Sequence, residues 1–444
     1  MANERDIVLD ILMDIEDNNT FSNIALNKAL KKNQFIEKKE RAFITRLSEG
    51  VVETRIKLDY IINQFSKTKS DKLKSKIRCI IRMGVYQLLF MDSVPDSAAC
   101  NEAVKLAKKH GFSGLSGFVN GVLRNIAKNK DNISYPSEED NRILFLSVKY
   151  SMPEMLIKKF MTDYPDTYMN ILEGCFDKRE TSIRIDLNKI SRDELKKELT
   201  EQGINAVNGQ YSDKVLLISG YDFIKRIFGY KQGYFTVQDE SSVCAIAESF
   251  KELTKEKEIS EDFTALDICA APGGKTTAAL EYMNNQGMIY SMDISEDKLS
   301  LIEENIERLG FKNAKVAQHD ALEHISKDLF DYDFDDNTDL VIADVPCSGL
   351  GIIGRKNDIK YRVTKEQIDE LIDLQKRIIN NAASYVKKNG LLLYSTCTVN
   401  PDENDVQVDR FLKNKTDFSL VGKRQFVQGT DKCDGFFYAI MKRV

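Results

Sequence analysis

The chain has 444 residues, room for two to four domains, and its 42% hydrophobic and 30% charged content is that of a soluble globular protein. No apolar run approaches the ~20 residues a membrane span needs, and the acidic, amphipathic start MANERDIVLDILMDIED is no signal peptide. The net charge of −5 conceals an asymmetry: residues 1–130 carry 23 Lys and Arg against 15 Asp and Glu, the remainder 41 against 54. A basic module on an acidic body suits a nucleic-acid contact, although a solvated helical surface carries such charge too.

Residues 1–130 read as helical. Ile7, Leu9, Ile11, Leu12 and Ile15 keep helical spacing, as do Ala42, Phe43, Leu47 and Val51. Residues 77–91 are apolar around most of a helix and should be buried. The break Ser93-Val94-Pro95-Asp96 starts another helix with Gly111 after its end, and 118–130 is a further amphipathic helix. A polar linker covers 129–141. Residues 142–245 mix helix and strand: 182–190 alternates like a strand, Ser191 caps a helix over 191–203, and KVLLISG and GYFTVQD read as strands. The expected domains are therefore 1–130, 142–245 as a small α+β module, and 246–444. From about 263 strands and helices alternate, ending with a helix at 364–388 and the strand GLLLYSTCT, which predicts a parallel doubly wound sheet. The acidic run 328–339 reads as a solvated loop.

DICAAPGGKT, residues 267–276, follows the first of these strands and opens a helix. Gly273 and Gly274 let backbone approach a ligand closely, while the first glycine of a GxxxxGK[ST] phosphate loop is missing. The second strand ends in Asp293, suited to a ribose diol, and the third in His319-Asp320, suited to an adenine edge. Each acid alone is more simply a helix cap. Together with the loop they fit S-adenosylmethionine better than a dinucleotide.

Eight cysteines, at 79, 100, 175, 244, 269, 347, 397 and 433, include no CxxC pair, which argues against a zinc site or a disulfide framework and fits a reducing cytoplasm. With only three histidines, at 110, 319 and 324, histidine base chemistry is poorly supplied. A lone cysteine is ordinarily an inert buried residue. Cys347 in DVPCSGLG and Cys397 in STCTVNPDE differ, because each ends a predicted strand where a ligand crevice should lie. A thiolate that adds to carbon 6 of cytosine makes carbon 5 enamine-like and able to take a methyl group. Lys275 could lower a thiol's pKa and Asp344 could grip the base.

DICAAPGGKT, DVPCSGLG, STCTVNPDEND and DGFFYAIMKR resemble the signature segments of the RNA cytosine-5 methyltransferase family named after Nol1, Nop2 and Sun, from about residue 142 to the end. VQDESS (237–242) is similar to the family's segment ahead of the cofactor loop. KKERAFITRLSEGVVE, VPDSAACNEAVKLAKKHG and FVNGVLRNI resemble a NusB-type RNA-binding domain. The resemblance implies an all-α NusB-like domain, an α+β RNA-binding module and a Rossmann-like class I methyltransferase domain. It implies S-adenosylmethionine as cofactor, held by Cys269, Ala270, Ala271, Pro272, Gly273, Gly274, Lys275, Asp293, Asp320 and Asp344. It makes Cys397 the nucleophile and gives Cys347 a role in product release, with Asp344 and Lys275 beside them. In DNA cytosine-5 methyltransferases the Pro-Cys residue attacks instead, and spacing alone does not decide between the two. Arg355, Lys360 and Arg362 become candidates for RNA phosphates. A NusB-like domain on this catalytic unit implies small-subunit (16S) ribosomal RNA as partner, with no metal and no membrane, in a cytoplasmic monomer. Departures from the family pattern are Asp186 after Arg184-Ile185, Asn357, Tyr361 and Met155. A methyltransferase acting on an exocyclic nitrogen, or a non-catalytic RNA-binding factor, are the rival readings.

Overall fold

The computed structural model describes residues 4–33, 35–177, 180–255 and 258–444, which form two compact units. The first comprises Met1–Glu173 together with Ile353–Arg362, the second Gly174–Ile352 with Val363–Val444. In the first, helices α1 (Glu4–Asp17), α2 (Ser22–Lys32), α3 (Lys38–Glu53), α4 (Arg55–Phe65), α5 (Ser75–Phe90), α6 (Asp96–Lys109) and α7 (Ser116–Lys128) enclose one core. α5 is its axis, buried without a break from Cys79 to Leu88, as its all-round apolar sequence predicts. Gly84 is required there, since a Cβ would sit 2.6 Å from Leu123 Cδ1 of α7. The helical run does not stop at the linker. α8 (Arg142–Lys149), α9 (Glu154–Asp163) and most of α10 (Tyr168–Gly174) pack in this unit.

In the second unit, strands β1 (Thr181–Ile185), β2 (Asn205–Asn208), β3 (Val215–Ser219) and β4 (Phe235–Val237) form an antiparallel sheet in the order β2-β3-β1-β4. Helix α11 (Arg192–Glu201) is capped by Ser191, whose Oγ accepts from Glu194 N, and buries Leu195 and Leu199 with Ile183 and Leu216. β1 ends sooner than its alternating pattern suggests, because Asp186 turns the chain by accepting from Asn188 N with Oδ1 and from Ile190 N with its carbonyl.

After α12 (Glu240–Leu253) come β5 (Thr264–Asp267), α13 (Gly274–Met283), β6 (Met288–Asp293), α14 (Glu296–Arg308), β7 (Ala314–Gln318), β8 (Thr338–Asp344), α15 (Lys365–Tyr385), β9 (Val386–Thr396), α16 (Asp405–Asn414), β10 (Phe418–Phe426) and β11 (Phe436–Arg443). Their sheet runs β10-β11-β9-β8-β5-β6-β7. β9, β8, β5, β6 and β7 are parallel, as the alternation predicts, and β11 and β10 extend the sheet antiparallel beyond β9. Lys387 and Lys388 start β9 rather than end the preceding helix. The acidic run 328–339 is not a plain solvated loop. Its aromatics alternate with Asp and turn inward, placing Phe330, Tyr332 and Phe334 at 5.0, 5.3 and 4.9 Å from Tyr290.

The small sheet is fastened to the large one by Arg184 of β1, which is fully buried. Its Nε donates to Glu281 Oε1 of α13 (2.9 Å), its other nitrogens to Gly274 O (2.9 Å) and Thr277 Oγ1 (3.0 Å), and it also bonds Gln238 Oε1. Breaking such a pair strands a buried charge. Arg184→Leu should therefore cost about 3–5 kcal/mol in urea unfolding, and adding Glu281→Leu should recover most of it. An Arg184→Leu midpoint equal to that of the parent would show that this pair does not hold the module.

Candidate active site

The site is built at the carboxyl ends of the parallel strands, where loops from neighbouring strands converge. β5 delivers the loop 268–273 and β8 delivers Asp344-Val345-Pro346-Cys347. β9, paired in parallel with β8, delivers Cys397. Gly273 supplies the left-handed turn, with φ of 95°, that brings the chain from β5 into α13.

A cavity of about 210 Å³ opens here. Its lining includes Cys269, Ala270, Ala271, Pro272, Gly274, Lys275 and Asp344 from the expected set. Asp293 braces the loop, its Oδ2 accepting from Ala271 N (3.1 Å) while Oδ1 accepts from Ser295 N (3.0 Å). Asp320 lies near enough, with Asp267, Asp344 and Asp293, to push the already buried Cys269 thiol further up in pKa. Asp239, Asp267 and Asp344 line the cavity together with Lys275.

Sequence reasoning missed two contributors to this cavity. Val237, Gln238, Asp239 and Ser242 line it from the segment just before α12. The signal was the motif resemblance of that segment, to which no role had been attached. Asp267 also lines it, and is fully buried with Oδ2 accepting from Thr276 Oγ1 (2.8 Å) and no well-formed bond at Oδ1. Burial, with Asp344 nearby, raises its carboxyl pKa to about 7.

Lys275 Nζ lies 2.6 Å from Asp344 Oδ2 and 5.0 Å from the centre of the Phe436 ring. Ser395 Oγ donates to Asp344 Oδ1 (2.7 Å), so both carboxylate oxygens are held. Lys275 is thus paired with Asp344 and sits beside Asp267, rather than acting on a thiol as expected. Cys347 Sγ and Cys397 Sγ stand 3.3 Å apart, far beyond the ~2.05 Å of a disulfide bond. The Cys397 contact and burial hold the Cys347 thiol well above its ordinary pKa.

The phosphate candidates fare differently. Lys360 is buried and its Nζ donates to Glu53 O of α3 (2.8 Å). Arg362 pairs with Asp358 (2.9 Å) and donates to Asn19 O (2.7 Å) and Thr20 O (2.6 Å). Both belong to the decapeptide that completes the helical unit; Lys360 is buried there, while Arg362 is half-buried and already paired with Asp358. Arg355 is exposed. Among the described residues there is no cluster of three or more potential metal ligands, and no helix long and apolar enough to cross a membrane.

Comparison with known proteins agrees with this architecture. Family models match residues 2–128 (NusB family), 152–222 (Methyltr_RsmF/B-like, ferredoxin-like domain) and 256–442 (16S rRNA methyltransferase RsmB/F). A relative from Bacillus subtilis, named probable ribosomal RNA small subunit methyltransferase B, is 33% identical over 93% of this chain and 89% of its own length. The crystal structure of PH0851 shares the fold at a TM-score of 0.82 and 24% identity, covering 100% of this chain and 99% of that one. NSun6 from Pyrococcus horikoshii, solved with SFG, aligns at a TM-score of 0.56 and 22% identity over 66% of this chain and 98% of its own. With its NusB domain, ferredoxin-like module and seven-stranded Rossmann-like domain, the chain belongs to the RsmB/F family of 16S rRNA methyltransferases.

Proposed function

We propose that the chain methylates carbon 5 of one cytosine in 16S ribosomal RNA, using S-adenosylmethionine and a covalent bond between Cys397 and the base. The observation that carries this reading is the pair of thiols 3.3 Å apart on adjacent strand tips, beside the Lys275–Asp344 pair. A nitrogen methyltransferase has no use for two such thiols, and a binding factor has no use for either.

When bound, S-adenosylmethionine supplies an electrophilic methyl carbon. The loop from Cys269 to Lys275, with Asp267, Asp293, Asp320 and Asp344, would hold it, and the negative pocket suits its sulfonium. The target base leaves its stack to reach the site. Cys397 Sγ adds to carbon 6, and Asp344, fixed by Lys275 and Ser395, orients the base by accepting a hydrogen bond from its amino group. The Cys397 contact and burial hold the Cys347 thiol well above its ordinary pKa, so Cys347 is suited to stay protonated while its neighbour attacks. After methyl transfer a water molecule takes the carbon-5 proton, the C5–H electrons reform the 5,6 double bond and the Cys397 sulfur leaves with the C6–S electron pair. Cys347 assists that release.

Bisulfite sequencing of small-subunit ribosomal RNA, with and without the gene, tests the reading directly. One protected cytosine should be lost and should return with the parent gene but not with Cys397→Ala. An unchanged 16S pattern sinks the proposed substrate. Cys347→Ala should trap a protein–RNA adduct that survives denaturing electrophoresis, and its absence would remove the release role.

Asp267 gives a pH signature. The folded chain keeps its proton up to about pH 7, whereas an unfolded chain releases it near the ordinary value of 3.8. More protons bound in the folded state means that stability falls as pH rises across that window. Asp267→Asn should flatten this part of the urea-denaturation pH profile, and a profile identical to that of the parent would contradict the buried protonated acid.

A further inference from the structure

We propose that Glu403 is the positioning residue that sets the separation of the two thiols. The inference rests on the paired-thiol reading above, but its distance readout does not need the substrate.

Glu403 lies in the short turn Pro401–Glu403 after β9 and is fully buried. Its carboxylate meets four donors. Oε2 accepts from Ser348 N (2.8 Å) and Gln375 Nε2 (2.9 Å). Oε1 accepts from Ser348 Oγ (2.5 Å) and Asn400 Nδ2 (2.8 Å). Thr398, Asn400 and Asn404 around the turn are buried like Glu403, and a buried carboxylate is tolerated when its lone pairs are filled.

The donors bracket the cysteines. Ser348 follows Cys347, and Pro346 before it is held through its carbonyl by the same Gln375 Nε2 (2.9 Å). Thr398 follows Cys397. Its hydroxyl lies 2.8 Å from Ser348 Oγ. Because the Ser348 proton goes to Glu403, Thr398 is the donor in that contact, and Thr398 Oγ1 in turn accepts from Asn400 N (3.2 Å). On the far side, Cys397 O accepts from Gly351 N (3.1 Å). One carboxylate therefore fixes the residues flanking Cys347 and, through Thr398 and Asn400, those after Cys397. It touches neither sulfur by a hydrogen bond and acts through the neighbours. An amide at this position would present two N–H groups to donors, so charge as well as shape is required.

The test uses the full chain and phenylarsine oxide, whose As=O group bridges two close thiols by forming two As–S bonds and releasing water. The parent should bind it, and Cys347→Ala and Cys397→Ala should not. Glu403→Gln should weaken its binding and lower kcat by about 100-fold, the cost of misplacing reacting groups by ~1 Å, while KM for S-adenosylmethionine stays unchanged. A merely structural glutamate would instead lower the melting temperature and leave arsenical affinity alone. Parent-like arsenical affinity and kcat in Glu403→Gln would overturn the proposal. Should that variant fail to fold, Gln375→Leu removes one arm of the same clamp, and parent-like arsenical affinity there would overturn it equally. Weakened arsenical binding in an enzyme that methylates no cytosine would leave the clamp standing and sink the cytosine reading.

Discussion

The arrangement of the catalytic unit hangs on one guanidinium. Arg184 has no access to water, and stripping an ion of its hydration costs several kcal/mol that only well-formed bonds offset. The bonds it makes come from α13, from Gly274 at the end of the loop after β5 and from Gln238 ahead of α12, so a strand of the small sheet fixes backbone that lines the candidate site. Such a pair adds little net stability compared with apolar packing. It tolerates one register only, because a slip of one residue would turn Arg184 to the opposite face of β1 and leave Glu281 with Lys214 alone, at 3.9 Å.

From that frame the chemistry follows by electrostatics. Strand tips converge carboxylates around a cavity, and a single lysine neutralises one of them. Asp267 responds by holding a proton, whereas Asp344 is gripped from both sides. The thiols stand 3.3 Å apart on the tips of β8 and β9, and their contact with burial raises the Cys347 pKa. Binding a cation and generating a thiolate would oppose each other in one undivided pocket. The β8 and β9 tips keep the two tasks on different side chains.

Much of this was legible in the sequence, and the remainder was hidden for identifiable reasons. The helices of 1–130, the β5–β9 alternation and the convergence of Cys347 and Cys397 follow from periodicity and from the rule that ligands sit at strand ends. β2 was invisible because NAVN has only one buried side chain and no apolar alternation. The buried aromatics of 328–339 were masked by the Asp between them, since mean composition hides a period of two. Lys360 and Arg362 look like a basic RNA-binding run, and no local pattern reveals that their acceptors lie some three hundred residues earlier, at Glu53, Asn19 and Thr20. Tyr361, a departure from the family pattern, likewise turns out to be a buried hub, its hydroxyl bonded at Glu53 O and Ser151 O with the Arg55 guanidinium 3.9 Å above its ring.

The decapeptide Ile353–Arg362 also bears on how this gene can be taken apart. By chain order the helical unit is a front segment ending at Glu173. It is not one heritable block, because part of it is encoded between Cys347 and Cys397. A catalytic fragment made by trimming the front would keep Asp358, Lys360 and Arg362 while discarding Ser22, Glu53 and Asn19, with which they bond. Shuffling this unit between relatives would therefore succeed only as a two-piece exchange, with the short insert travelling together with the helices it completes.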